Sequence, residues 1–313
     1  MNKLATISMV VLLLAQFGCN SDKAEKESAT TYPETMEGSW RLVSYIDHEH
    51  GATDWTSYSD DIIYEKNITP THFTWIKYEK SKDDMVGTGG GTYVYEEGIY
   101  TEDIKFFFPP GSSILGQSIP FDVYIKEGKL YQTGYAWETE FDPESGNMVV
   151  VDTVKIEEIW EQIPEEENNT DELIGTWELI SYKEEDDSIR LEPPGFFGYI
   201  KHITPTHFNW IFFNKEDDEV FAEGGGKYSL KGDIYTEFIE YRYPRGDREG
   251  VVVPHVGTVL PFTKKIEDDL WYHTGYVKKV TVDSVSGTAT VVDSTKIDEI
   301  WRKVAKTDSA TGV

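Results

Sequence analysis

The chain has 313 residues, with 57 acidic against 29 basic side chains and a formal net charge of −28. Such an excess of negative charge repels nucleic acid and anionic head groups, which argues against nucleic acid as a partner, and it keeps the surface solvated. Aromatic residues make up 14%, with 19 Tyr and 9 Trp, and no long helix-period pattern runs through the chain, a composition suited to sheets.

Lys3 opens the chain ahead of the mostly apolar stretch Leu4–Ala15. That stretch is shorter than the roughly 20 residues that span a bilayer, so residues 1–18 read as a signal peptide. Gly18-Cys19 resembles the lipobox of bacterial lipoproteins, although Gln16 stands where leucine is usual. The resemblance implies that Cys19, the only cysteine, is lipidated and anchors the protein to the membrane of the cell envelope. The alternative is a lone thiol in a disordered tail; against it, a single cysteine in an exported protein makes no internal disulfide and needs another explanation. Residues 19–35 are polar and read as a flexible tether. Asp22, Glu25 and Glu27 resemble the tether of lipoproteins displayed by Bacteroidetes-type bacteria, which implies an outer-membrane, surface-exposed location.

Beyond the tether the sequence repeats itself. Gly38-Ser39-Trp40-Arg41-Leu42 returns as Gly175-Thr176-Trp177-Glu178-Leu179, and Ile68-Thr69-Pro70-Thr71-His72-Phe73 returns as Ile203-Thr204-Pro205-Thr206-His207-Phe208. The triplets Gly89–Gly91 and Gly224–Gly226 follow, then Tyr100-Thr101-Glu102 and Tyr235-Thr236-Glu237, and finally Glu158-Ile159-Trp160 and Glu299-Ile300-Trp301. Landmarks in one unvarying order indicate a duplicated domain, covering 36–163 and 172–304, with a polar linker at 164–171 and a tail at 305–313. Length variation falls in 46–64 and 108–118, with counterparts 183–197 and 242–257, where loops are expected.

The second copy divides into strands over Gly175–Tyr182, Gly198–Phe213, Gly225–Leu230, Asp233–Tyr243, Thr258–Ile266, Leu270–Val282 and Thr288–Val304. A bend at Thr204-Pro205 splits the second and raises the number to about eight. The fold class is therefore all-β. A meander of eight antiparallel strands closes into a barrel, with a β-sandwich as the alternative. Gly-x-Trp at the head of such a meander, followed by Thr-Pro-Thr-His-Phe, the glycine triplet, Tyr-Thr-Glu, Pro-Phe and a closing Glu-Ile-Trp, resembles the lipocalin (calycin) superfamily and its bacterial lipocalin-like domains. The resemblance covers nearly all of both copies. It implies two tandem lipocalin-like antiparallel β-barrels, each able to form a cup for one small molecule.

Within that frame Trp40 and Trp177 are expected to plug the closed ends, with Trp160 and Trp301 also in the core. His72 and His207 recur at the same spacing from Trp75 and Trp210, and are either structural or ligand contacts. No His/Cys cluster accompanies them, so no metal is expected. His202 is set against Lys66 in the other copy, and His273 against Gln132. By alternation Tyr100, Glu102, Ile104 and Phe106 share one face, as do Tyr235, Glu237, Ile239 and Tyr241. That face either lines the barrel or meets solvent. Inside a barrel, a carboxylate needs a partner or a raised pKa. The glycine triplets precede strand residues Tyr93 and Tyr228 rather than a helix, so they mark a bulge or tight bend and not a phosphate loop.

The candidate ligand-binding residues are thus His72, Trp75, Tyr100, Glu102, His207, Trp210, Tyr235 and Glu237. No catalytic residue, cofactor or metal is assigned. The leading expectation is a non-enzymatic binding protein for a small hydrophobic or amphipathic molecule. The alternatives are a scaffold contacting an envelope protein or glycan through its loops, and an enzyme using the His/Glu pairs.

Overall fold

Short runs with period-two alternation, cut by tight turns, have one low-energy way to satisfy every backbone donor and acceptor, which is to pair with their neighbours and close. In the computed structural model, residues 30–306 are described apart from 144, 166–171, 184–188, 218, 245–253 and 283–288. The signal-peptide segment, Cys19 and most of the tether lie outside the described residues.

The first copy contains β1 (Gly38–Tyr45), β2 (Ile62–Ile68), β3 (His72–Glu79), β4 (Asp84–Glu96), β5 (Ile99–Phe108), β6 (Ser118–Lys126), β7 (Lys129–Asp142) and β8 (Asn147–Gln162). Each pairs antiparallel with the next, and β8 returns to β1, closing the barrel. The second copy repeats this with β9 (Gly175–Tyr182), β10 (Phe197–Ile203), β11 (His207–Asn214), β12 (Val220–Lys231), β13 (Ile234–Tyr243), β14 (Val259–Glu267), β15 (Leu270–Val282) and β16 (Ala289–Lys303), the last pairing β9. Both copies are closed eight-stranded barrels, not sandwiches. Strand β12 begins at Val220 rather than Gly225, because the extra residues pair with the far end of β11.

The Gly-x-Trp motif closes one end of each barrel. Trp40 and Trp177 are buried, and each indole N–H donates to a carbonyl four residues upstream, Met36 at 2.9 Å and Leu173 at 2.8 Å. The preceding glycines, Gly38 (φ +127°) and Gly175 (φ +141°), take a backbone conformation that side chains disfavour, which turns the chain across the barrel end.

The glycine triplets mark bulges. Gly90 pairs with Phe106 while Gly91 pairs with Ile104, so Lys105 is an extra residue in β5. Gly225 pairs with Tyr241 and Gly226 with Ile239, which leaves Glu240 extra in β13. A side chain on Gly91 or Gly226 would meet the opposing backbone at 2.0 and 2.2 Å. An extra residue reverses the facing of everything after it. The expected shared face is therefore corrected at its end: Tyr100, Glu102 and Ile104 point inward, but Phe106 points out, and likewise Tyr241 after Tyr235, Glu237 and Ile239.

Those reversed aromatics help to join the two barrels. Phe106 packs on Phe213 with centroids 5.2 Å apart, Tyr241 on Tyr78 at 6.4 Å, and Phe108 on Tyr243 at 4.5 Å. Ile76 and Met85 complete one buried cluster, and Ile211 and Val220 the other. At the repeat offset of 135, Ile76 corresponds to Ile211, Tyr78 to Phe213, Met85 to Val220 and Phe106 to Tyr241. The clusters are mates about a pseudo-twofold axis, with Phe108 and Tyr243 each other's counterparts across it. Hydroxyl pairs follow the same symmetry: Ser39 with Thr204 at 2.6 Å and Thr69 with Thr176 at 2.7 Å. Duplication has thus produced a covalently linked equivalent of a self-complementary dimer.

Candidate ligand-binding site

Alternation along each strand decides which side chains enter the barrel. In the first barrel β2 sends in Tyr64 and Lys66, β3 Phe73, Trp75 and Lys77, β5 Tyr100 and Glu102, and β8 Ile156, Glu158 and Trp160. Halfway down, Lys66 Nζ donates to Glu102 Oε1 at 2.6 Å and to Gln132 Oε1 at 3.3 Å, and stands 4.8 Å from the Trp160 ring centroid. Trp160 Nε1 donates to Glu158 Oε2 at 3.1 Å. Burial raises the Glu158 pKa and the charge of Glu102 adds to it, while Lys66 opposes. Burial likewise carries the Tyr100 phenol well above its ordinary pKa, reinforced by the charge on Glu102.

The second barrel repeats the layer with a histidine in place of the glutamine. Lys201 Nζ donates to Glu237 Oε1 at 2.8 Å, His273 Nδ1 lies 3.1 Å from Glu299 Oε2, and Trp301 Nε1 donates to the same oxygen at 3.0 Å. Burial and the charge of Lys201 depress the His273 pKa, so its ring is neutral and donates from Nδ1. The counterpart of Lys66 is accordingly Lys201, and that of His202 is Asn67, which corrects the pairing of His202 with Lys66. The buried partner that Glu102 and Glu237 needed is this lysine. It carries no landmark in the sequence beyond its place in a strand.

The eight candidate residues separate into two groups. Trp75, Tyr100 and Glu102 face one interior, and Trp210, Tyr235 and Glu237 the other. His72 and His207 do not join them, because Phe73 and Phe208 occupy the inward positions of β3 and β11. Both histidines point toward the opposite barrel. The His72 and His202 rings are 5.7 Å apart, and His207 Nε2 lies 3.8 Å from Glu65 of the first barrel. Burial lowers the pKa of His72 to about 4. Each His/Glu pair therefore has its members on opposite sides of a barrel wall.

Above the polar layer the first barrel opens between aromatic walls. Tyr45 stacks on Tyr58 at 4.4 Å, Tyr58 meets Tyr64 at 5.6 Å, Tyr64 meets Trp75 at 5.8 Å, and Trp75 meets Phe107 at 5.5 Å. All five are only partly buried. A cavity of about 290 Å³ lies at this mouth, bounded by Tyr45, Tyr58, Lys77 and Ile156, with Glu158 at its base and the 3₁₀ turn His48–His50 along its rim. Lys77 Nζ donates to the Tyr58 hydroxyl at 2.9 Å, and His48 Nε2 lies 2.6 Å from Glu157 Oε2, pinning the rim to β8. In the second barrel the corresponding carboxylate, Asp298, is held by Arg190. A recess of about 360 Å³ in the seam between the barrels, beside Thr71, Thr176 and Lys303, lacks a converging set of buried polar groups.

Comparison with protein-family models, with curated proteins and with solved structures finds no match to this chain.

Proposed function

We propose that the protein is a non-catalytic binding module whose first barrel holds one small amphipathic molecule at its mouth. The cavity between Tyr45, Tyr58 and Ile156 with Glu158 beneath it is the observation that carries this reading. Two tyrosines and Ile156 facing a rim of charged groups suit an amphipathic molecule rather than a wholly apolar one, and a volume of about 290 Å³ lies at the lower limit of small-ligand sites. The ligand's apolar body would lie against Tyr45 and Tyr58, with a donor or cationic group directed at Glu158 and an acceptor near Lys77. The ligand contacts thus move up the barrel from Tyr100 and Glu102, whose carboxylate already accepts from the buried Lys66. Separation of the His/Glu pairs by the barrel wall supports a role without acid–base catalysis, since such chemistry needs both groups within reach of one substrate. With lipid on Cys19, the barrels would be tethered at the envelope, on the outer membrane and surface-exposed, where small amphipathic molecules or a neighbouring protein or glycan are at hand.

Native mass spectrometry of the purified chain, followed by titration with 8-anilino-1-naphthalenesulfonate read by tryptophan fluorescence, tests the reading. The expected result is saturable quenching at one probe per chain, weakened at least fivefold by Tyr58→Ala. A chain that neither retains a small molecule nor binds the probe, or whose binding ignores Tyr58→Ala, removes the proposal.

A further inference from the structure

The seam between the barrels contains a group of side chains that folding alone does not explain. Glu65 on β2 of the first barrel is 2% exposed and meets two residues of the second barrel, His207 on β11 and Glu240 at the β13 bulge. His207 Nε2 is 3.8 Å from Glu65 Oε2 and 3.7 Å from Glu240 Oε2, and the three donor atoms lie within 4.8 Å of one another. Arg41 lies 3.5 Å from the other Glu65 oxygen, Oε1, and Lys227 acts on both carboxylates at longer range. Glu65 Oε2 itself is buried without a hydrogen-bond partner and faces into the group.

We infer that Glu65, His207 and Glu240 form a binding site for one divalent first-row transition cation, with Zn²⁺ as the reference case, that clips the second barrel to the first. Three protein ligands of imidazole and carboxylate type, with solvent completing the shell, are a common donor set for such ions. Separations of 3.7 and 3.8 Å are too long for hydrogen bonds from the imidazole. Donor atoms sharing a tetrahedral ion at bonds of about 2.0–2.2 Å stand about 3.3–3.6 Å apart. The two separations from His207 therefore need contract by only a few tenths of an ångström, while the two carboxylates, within 4.8 Å of each other, are drawn together by rotation of the more exposed Glu240 side chain. His207 Nδ1 lies 2.8 Å from Thr206 Oγ1. With Nδ1–H donating there, Nε2 presents its lone pair to the two carboxylates, an arrangement that a cation resolves. Glu240 is directed here by the bulge, and its side chain is 35% exposed, which gives an ion a path in.

The pseudo-twofold supplies an internal control. His72 occupies the matching position, with the same 2.8 Å contact to its neighbouring threonine, Thr71. Its counterparts of Glu65 and Glu240 are Ile200 and Lys105. Among the described residues His207 has two carboxylates within 3.8 Å, whereas His72 has only Glu178 acting on it at longer range.

The test uses the full chain, stripped with EDTA and titrated with Zn²⁺ against a chromogenic chelator, with thermal melts in parallel. One equivalent of Zn²⁺ and a rise in Tm are expected. Glu240→Gln should lose at least tenfold in affinity, whereas His72→Asn should leave it unchanged. The more exposed trio at the rim, of Asp47, Glu49 and His50, is separated from this site by His50→Ala, which should also leave it unchanged. In case Glu240→Gln fails to fold, Co²⁺ is added to the wild-type chain, where visible d–d absorption with histidine nitrogen shifts at His207 is expected. No uptake of Zn²⁺ at tens of micromolar, affinity that survives Glu240→Gln, or Co²⁺ spectra without perturbation of His207 each overturns the inference.

Discussion

The interior of each barrel and the seam between the barrels both bury charge, but they handle it in opposite ways. Inside, every carboxylate of the polar layer has a short partner: Lys66 on Glu102, Trp160 on Glu158, and their equivalents in the second copy. In the seam, Glu223 is wholly buried and neither of its carboxylate oxygens has a hydrogen-bond partner, while Glu65 has one oxygen without one. The interior pattern is kept in both copies. The seam pattern is not, because Glu223 matches Thr88 and Glu65 matches Ile200. The buried charges kept in both copies are thus those paired inside each barrel, whereas the buried carboxylates of the seam stand in one copy only.

The contrast is tested most forcefully inside. Lys66→Met leaves Glu102 buried without its cation and should cost about 3–5 kcal/mol in urea denaturation. The double variant Lys66→Met/Glu102→Leu should recover most of that loss, since a pair removed together leaves no orphan. A double variant as unstable as the single one would show that the layer does more than satisfy itself.

At the seam, Ile76→Ala and Ile211→Ala remove matched, fully buried side chains from the two apolar clusters. Each should cost about 2–5 kcal/mol, because large-to-small changes in a packed core lose both transfer energy and packing. If the barrels do not depend on one another, these variants will melt like wild type, and the seam is then not a core.

The last effect is one of pH. Burial pushes the Glu223 carboxyl up to about 8 from an ordinary 4.5, against the opposing influence of Thr88. Between those values the folded chain holds a proton that the unfolded chain has released. The contribution to stability is thus fully present below the unfolded pKa and is lost as pH rises through the folded one. Glu223→Gln should flatten the fall in urea midpoint between pH 5 and 8. An unchanged slope in the variant would mean that another group carries the dependence.

The barrels were legible because their signals are local. Period-two alternation, the Gly-x-Trp plug and the repeated order of turns each act over a few residues, and duplication displayed them twice. The inward face of Tyr100 and Glu102 followed from the same alternation, but only as one of two choices. Alternation then failed at Phe106 and Tyr241, since a one-residue bulge leaves no mark in a pattern except the glycines opposite it. The direction in which His72 and His207 point was not legible for a related reason. Strand β3 is apolar on both faces, with Phe73 and Trp75 on one side and Ile76 and Tyr78 on the other, the signature of a strand covered twice. That was the available sign of a second packed surface.

By itself, the sequence determined that this protein is a duplicated all-β module of about eight short strands per copy, because strand formation and tight turns depend on neighbours along the chain, whereas closure of β1 on β8 and of β9 on β16 joins distant segments. The partners of Glu102 and Glu237, the pseudo-twofold seam and the meeting of Glu65 with His207 and Glu240 were decided only by tertiary structure. Each joins residues from separate strands or from different barrels, and the relative placement of two closed surfaces has no periodicity to announce it.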